Sequence, residues 1–226
     1  CNASYPNLEQ TLNAQISRLN TTPARIPLTD PKTGKTYNAV FDGDTFQGTL
    51  FQMFYATELL PLLPAAIDAV QHDNYTFFSK IMPVFIFDQT VSTGMYYSVI
   101  CAEEADYDVN AIKTNDLRPI FAKNAKEDAA FIQQVCSRWG VRDLGPSVDA
   151  SVSSTIPTLV FSGRFDPITP PYYAAEAAQP LANSYSFTFP NTGHGALNSN
   201  DCARSIAESF WRDPSRAPDS SCIDTL

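Results

Sequence analysis

The sequence is poor in histidine and in positive charge, and it has no long apolar run. No stretch approaches the roughly 18 to 20 unbroken apolar residues that a membrane helix needs; the longest patches, such as MPVFIF at 82–87, fall far short, so no membrane span is expected. Fifteen basic residues stand against twenty-four acidic ones, a net charge of -9. That balance repels phosphate backbones and argues against a nucleic-acid partner. It leaves open a preference for amine-bearing substrates or a merely solvated acidic surface. The five cysteines include no C-x-x-C, and the two histidines, His72 and His194, lie far apart, so neither a zinc site nor any other metal or cofactor is implied.

What is present describes a globular chain: 226 residues, 44% hydrophobic and 12% aromatic, are enough to bury a core. Disulfides explain the cysteines better than a metal does. Cys202 with Cys222 closes a loop near the C-terminus, which stabilises by roughly 3 kcal/mol in the chain-entropy model. Cys101 and Cys136 can pair likewise, leaving Cys1 with a partner outside this chain; the alternative is five reduced core cysteines. Paired cysteines place the protein in an oxidising compartment, secreted or in a periplasm or cell envelope. No signal peptide is visible, which is expected if it was removed or if the chain starts inside a precursor.

Two regions read differently. Residues 1–150 read as a mainly helical cap: Leu8, Leu12, Ile16 and Leu19 recur at spacings of four, four and three, one stripe of a helix. Asp44 is expected to cap a second helix running through TFQGTLFQMFYATELL until Pro61 and Pro64 break or kink it, and Asn74 a third carrying Phe77, Phe78, Ile81 and Met82. KEDAAFIQQVCSRWG is a further helix stopped by Gly140, and PLTDPKTGKTYNAVFDGD a turn-rich hairpin. Residues 151–226 alternate instead: a β-branched strand ending at Gly163, a helix through PPYYAAEAAQPLAN, the strand SYSFTFP, and a helix begun by Asn200 or Asp201. Strand, helix, strand, helix implies parallel strands joined by a right-handed crossover. The fold class expected is therefore α/β.

Functional residues in open α/β sheets gather beyond the carboxyl ends of strands. Asp166, in SGRFDPITP, and His194, in FPNTGHGAL, both stand there. A carboxylate behind an imidazole fixes its tautomer and stabilises the cation formed when the ring takes a proton. Gly193 and Gly195, flanking the histidine, are expected to leave open space beside the ring for a nucleophile. Taken singly, an Asp before Pro is often a turn former and a Gly-flanked His a surface loop residue. Acid then histidine after successive strands is the closing order of an α/β-hydrolase triad.

PTLVFSGRFDPITPPYYAAEAAQPLANSYSFTFPNTGHGAL, CARSIAESFWRDPSRAPDSSC, YPNLEQTL and MYYSVICAEEADYD resemble the tripeptidyl-aminopeptidase-like branch of the α/β-hydrolases. The similarity runs through nearly the whole chain and is strongest in its last 75 residues. The resemblance implies a helical cap followed by the last two strands of the catalytic sheet, an incomplete core, with Asp166 as triad acid and His194 as triad base. It implies an exported serine hydrolase that releases short peptides from free N-termini. Such enzymes hold the substrate ammonium with carboxylates, a role that fits Glu103 better than Glu104; solvated surface charge is the competing reading.

No GxSxG occurs in the chain, Ser162 sits at a strand end, and Ser92 lies in the helical region. The expectation is therefore a C-terminal half whose nucleophile, oxyanion loop and earlier strands belong to an N-terminal half of the same precursor. Alone, this chain is expected to be inactive. The resemblance also accounts for Cys1 as the partner of a cysteine in that half. An esterase using the same triad, or a non-catalytic binding module derived from the fold, are the alternatives. Phe51, Phe54, Tyr55, Phe77 and Phe78 either line a substrate entrance or pack between cap helices, and His72 reads as a surface residue near a helix end.

Overall fold

The apolar stripe of the first helix, α1 (Leu8–Thr21), is buried at Ile16 and Leu19. The turn-rich segment that follows forms the expected hairpin: β1 (Ala24–Thr29) pairs antiparallel with β2 (Thr36–Phe41) from Ala24↔Phe41 to Thr29↔Thr36. Asp30 closes its turn by accepting from Lys32 N and Thr33 Oγ1. In this computed structural model, which describes residues 3–226, Cys1 and the bond expected of it lie outside the described residues.

The second helix differs from its sequence reading at both ends. Its cap is Asp42, whose carboxylate accepts from Thr45 N at 2.8 Å. Asp44, two residues on, sits in the first turn and accepts from Asn20 Nδ2 at 3.0 Å. Both aspartates suit a helix start, and the tertiary contact with α1 assigns their roles. Helix α2 (Gly43–Gln52) stops well before Pro61 and gives way to two 3₁₀ turns, Met53–Tyr55 and Thr57–Leu62. Pro64 then falls in the first turn of α3 (Leu63–Gln71), where its missing N–H costs nothing. The cap of helix α4 (Thr76–Ile86) is Tyr75, not Asn74, which stands one residue earlier and accepts from Thr76 N through Oδ1 in an Asx turn. Phe41, Phe46 and Phe78, each fully buried, meet with ring centroids 5.0–5.9 Å apart.

Helix α5 (Thr93–Glu103) and the longer α6 (Pro119–Trp139) are joined by the Cys101–Cys136 disulfide, and Gly140 ends α6 as expected. Tyr107 Oη donates to Ala129 O and Leu144 N to Ala102 O, tying the loops to both helices.

The C-terminal elements are β3 (Thr158–Gly163), α7 (Pro171–Ala178), β4 (Ser184–Phe189), the short α8 (Ala196–Ser199) and α9 (Asp201–Arg212). The strands pair in parallel from Thr158↔Ser184 to Gly163↔Phe189. Leu159, Phe161, Phe187 and Phe189 pack with Ala203 and Ile206 of α9, and the Cys202–Cys222 disulfide fastens the tail to that layer. The chain is a mixed α/β structure, mainly helical, with a small parallel sheet.

The grouping of these elements departs from a division at residue 150 alone. Residues up to Phe87 and Ser151–Leu226 form one unit, and Asp88–Ala150 a second. Hydrogen bonds such as Gly193 N to Thr57 Oγ1, spanning 136 positions, hold the N-terminal segment to the strands. Contacts of that separation have no local sequence period.

Candidate active site

Both carboxyl-end loops of the parallel pair turn toward each other. After β3, Arg164 N donates to Phe189 O at 3.0 Å, Phe165 N to Thr192 O at 2.9 Å and Asp166 N to Gly163 O at 3.2 Å. This turn carries the Asp166 carboxylate to the loop after β4. There Thr192, 1% exposed, receives the amide of Asn200, whose Oδ1 caps α9 through Cys202 N and Ala203 N. The histidine loop is thus pinned to both the strand before it and the helix after it.

Asp166 is 5% exposed and fully engaged. Oδ1 accepts from Ile168 N at 2.8 Å and Thr169 N at 2.9 Å, and Oδ2 from Thr169 Oγ1 at 2.8 Å. His194 Nδ1 lies 2.9 Å from Oδ2 and 3.1 Å from Oδ1. An imidazole held so donates from Nδ1 and leaves the Nε2 lone pair free to accept a proton. No serine, threonine or cysteine side chain among the described residues is hydrogen-bonded to Nε2.

Burial pushes the Asp166 carboxyl up, but the hydrogen bonds from Thr169 N and Oγ1, Ile168 N and His194 outweigh it and hold it below its ordinary value. The carboxylate therefore stays ionised at neutral pH. Because its folded pKa is below the unfolded one, the stability it contributes is full above about pH 4 and is lost as pH falls through the folded value. In thermal unfolding scans from pH 7 to pH 3, Asp166→Asn is expected to be less stable at pH 7 and to lose less on acidification than the parent. Parallel acid limbs would contradict this.

The first 3₁₀ turns supply the other wall of the loop. Phe54 O accepts from His194 N at 2.8 Å, Thr57 Oγ1 accepts from Gly193 N at 3.1 Å, and Thr57 Oγ1 donates to Ser199 Oγ at 3.0 Å. The Tyr55 ring meets the imidazole edge-on with centroids 5.0 Å apart. Space beside Gly193 is consequently not open: a Cβ there would lie 2.2 Å from Phe54 O, so this glycine admits a neighbouring backbone rather than a nucleophile. Gly195 does what a flanking glycine was expected to do for the backbone, taking a φ of 79° at the start of α8.

Of the nominated residues, the structure brings Asp166 and His194 together. Glu103 and Glu104 belong to the second unit, at the last residue and the C-cap of α5, half-buried and exposed respectively. Neither has a cationic partner among the described residues, and both stand at the negative end of a helix dipole, an unfavourable place for a carboxylate. Ser92 caps α5 through Met95 N, and Ser162 is buried against Thr188 Oγ1, so both hydroxyls have structural roles. Phe78 is core, Phe77 packs edge-on against it, and Phe51 and Tyr55 are exposed. His72 is exposed at the C-cap of α3.

Thr169, Thr57 and the Phe54 carbonyl escaped the sequence reading. Thr169 had a visible signal, a hydroxyl three residues after an aspartate in DPIT, the spacing of an Asx-type turn. Thr57 and Phe54 had none.

Residues 122–222 match a family model described as TAP-like protein. The matched stretch contains Asp166 and His194 but not Glu103, Glu104 or the 3₁₀ turns, and is narrower than the near-complete similarity expected. No curated protein and no solved structure matches the chain.

Proposed function

We propose that the chain supplies the acid and base of a serine hydrolase that removes short peptides from free N-termini, a reading supported by the match of residues 122–222 to the TAP-like family model. The hydrogen-bonded pair of Asp166 and His194, with Nδ1 turned to the carboxylate, carries this reading. His194 Nε2 takes the proton of a serine hydroxyl as it attacks the scissile carbonyl, and Asp166 stabilises the imidazolium. The same proton then passes to the departing amine, and the cycle repeats with water to release the acyl group.

The serine comes from polypeptide outside these 226 residues, which contain no GxSxG. The two-stranded sheet and the 70% exposure of Val152 and Ile156 just before β3 support a sheet continued by that segment. The resemblance assigns the substrate ammonium to Glu103 or Glu104, at the end of α5. Export is supported by the Cys101–Cys136 and Cys202–Cys222 disulfides. No described helix is long and apolar enough to cross a membrane.

The complete precursor should hydrolyse aminoacyl or tripeptidyl reporters and lose at least about tenfold in kcat/KM when the N-terminus is acetylated, because the charge-assisted bond from the substrate ammonium to a carboxylate is lost. The 226 residues alone should be inactive. Preference for blocked peptides or simple acyl esters would overturn the exopeptidase reading in favour of an esterase.

A further inference from the structure

The 3₁₀ turn that holds the histidine loop divides its large side chains between two environments. Met53 is fully buried, whereas Tyr55 and Phe51 remain 46% and 42% exposed. The exposed pair meets edge to face, ring centroids 6.4 Å apart, and Tyr55 stands 5.0 Å from His194. We propose that Tyr55 and Phe51 form the specificity wall for the substrate group flanking the scissile bond, and that the enzyme favours an aromatic or bulky apolar residue there. This rests on the assignment of His194 as the base.

Exposed aromatic side chains taken singly need no explanation. This pair differs by its position. A general base works within about 2.6–3.2 Å of the proton it moves, so the reacting atoms and their immediate substituents must lie beside the imidazole. A ring centred 5.0 Å from that imidazole is within contact distance of those substituents. Phe41, Phe46 and Phe78, which pack against one another in the same unit, are by contrast fully buried.

The wall is also fixed in place. Phe54 O, on the residue between Met53 and Tyr55, accepts from His194 N at 2.8 Å, and Thr57 Oγ1 accepts from Gly193 N at 3.1 Å. The backbone that carries Tyr55 is thus tied to the loop that carries the base. Aromatic faces and edges gain from offset or edge-on partners beyond simple burial. Phe51, whose ring lies 6.4 Å from that of Tyr55, enlarges the apolar surface, so the favoured group is larger than a methyl.

The test uses the complete hydrolase with reporter pairs that differ only in phenylalanine against alanine, first at the acyl residue and then at the leaving residue. Acyl esters of the same two residues form a parallel set. The parent should favour phenylalanine on at least one side by about tenfold in kcat/KM, the size expected of one good aromatic contact. Tyr55→Ala should lower kcat/KM on the phenylalanine reporter about tenfold more than on the alanine reporter and so bring that ratio to about one; Tyr55→Phe should keep the preference, and Phe51→Ala should reduce it in part. Equal loss on both reporters in Tyr55→Ala would mean that the ring merely supports His194, and would overturn the proposal. So would a parent that prefers alanine on both sides. Activity confined to the ester set overturns the exopeptidase reading while the aromatic ratio is still read; a parent inactive on both sets overturns the hydrolase reading and this proposal together.

Discussion

On the proposed function, His194→Ala in the complete precursor is expected to lower kcat by a factor on the order of 10⁵–10⁶, the loss that follows removal of the base from a serine triad. The variant should still fold, because the His194 side chain is 31% exposed and Asp166 keeps its bonds from Ile168 N, Thr169 N and Thr169 Oγ1. Asp166→Asn should cost somewhat less, on the order of 10⁴, for a different reason. Its amide retains an oxygen to accept from Ile168 N and Thr169 N, but turns an N–H toward His194 Nδ1. The ring then accepts at Nδ1, carries its proton on Nε2, and presents a donor where a base is required. A burst assay on an activated ester separates the outcomes: both variants should lose the acylation burst while Tm changes little for His194→Ala. Turnover of His194→Ala equal to the parent would end the catalytic assignment of this histidine.

The pairing of Asp166 with His194 was legible because each follows a recognisable strand, and parallel pairing of successive strands puts their carboxyl ends on one rim. The helix stripe of α1, the hairpin, and the alternation from β3 to α9 were legible for a related reason: their signals lie within a window of a dozen residues. Both disulfides followed from the spacing of four cysteines. Illegible features depend on contacts distant in sequence. Asp42 and Asp44 have equal local claims to a cap, and Asn20, 24 positions away, engages Asp44. The apolar run through Leu60 looks helical, but it bends into 3₁₀ turns where its carbonyl and hydroxyl groups meet the histidine loop. For the same reason residues up to Phe87 group with the strands and leave Asp88–Ala150 as the separate helical unit.

Gly193→Ala is expected to do severe damage without touching a reacting group. The new methyl would fall 2.2 Å from Phe54 O and 3.2 Å from Phe54 C, and a peptide carbonyl cannot rotate aside as a flexible side chain can. Either Phe54 retreats and the 2.8 Å bond from His194 N breaks, or the histidine loop retreats and the imidazole leaves Asp166. Each route displaces the base by a fraction of an ångström or more, and misplacement near 1 Å costs on the order of 100-fold in rate. Overpacking of a tight contact also destabilises by about 1–3 kcal/mol. Gly195→Ala provides the control two positions away. Its φ of 79° makes alanine unfavourable by about 1–2 kcal/mol, yet the nearest atom to the added Cβ is Asn198 Nδ2 at 3.8 Å, so no neighbour is pushed. Comparable losses of stability in the two variants, with kcat falling far more in Gly193→Ala, are the expected result in thermal unfolding and steady-state assays. Should Gly193→Ala keep full kcat, the 3₁₀ turns would have no part in positioning His194, and their contacts with the loop would serve folding alone.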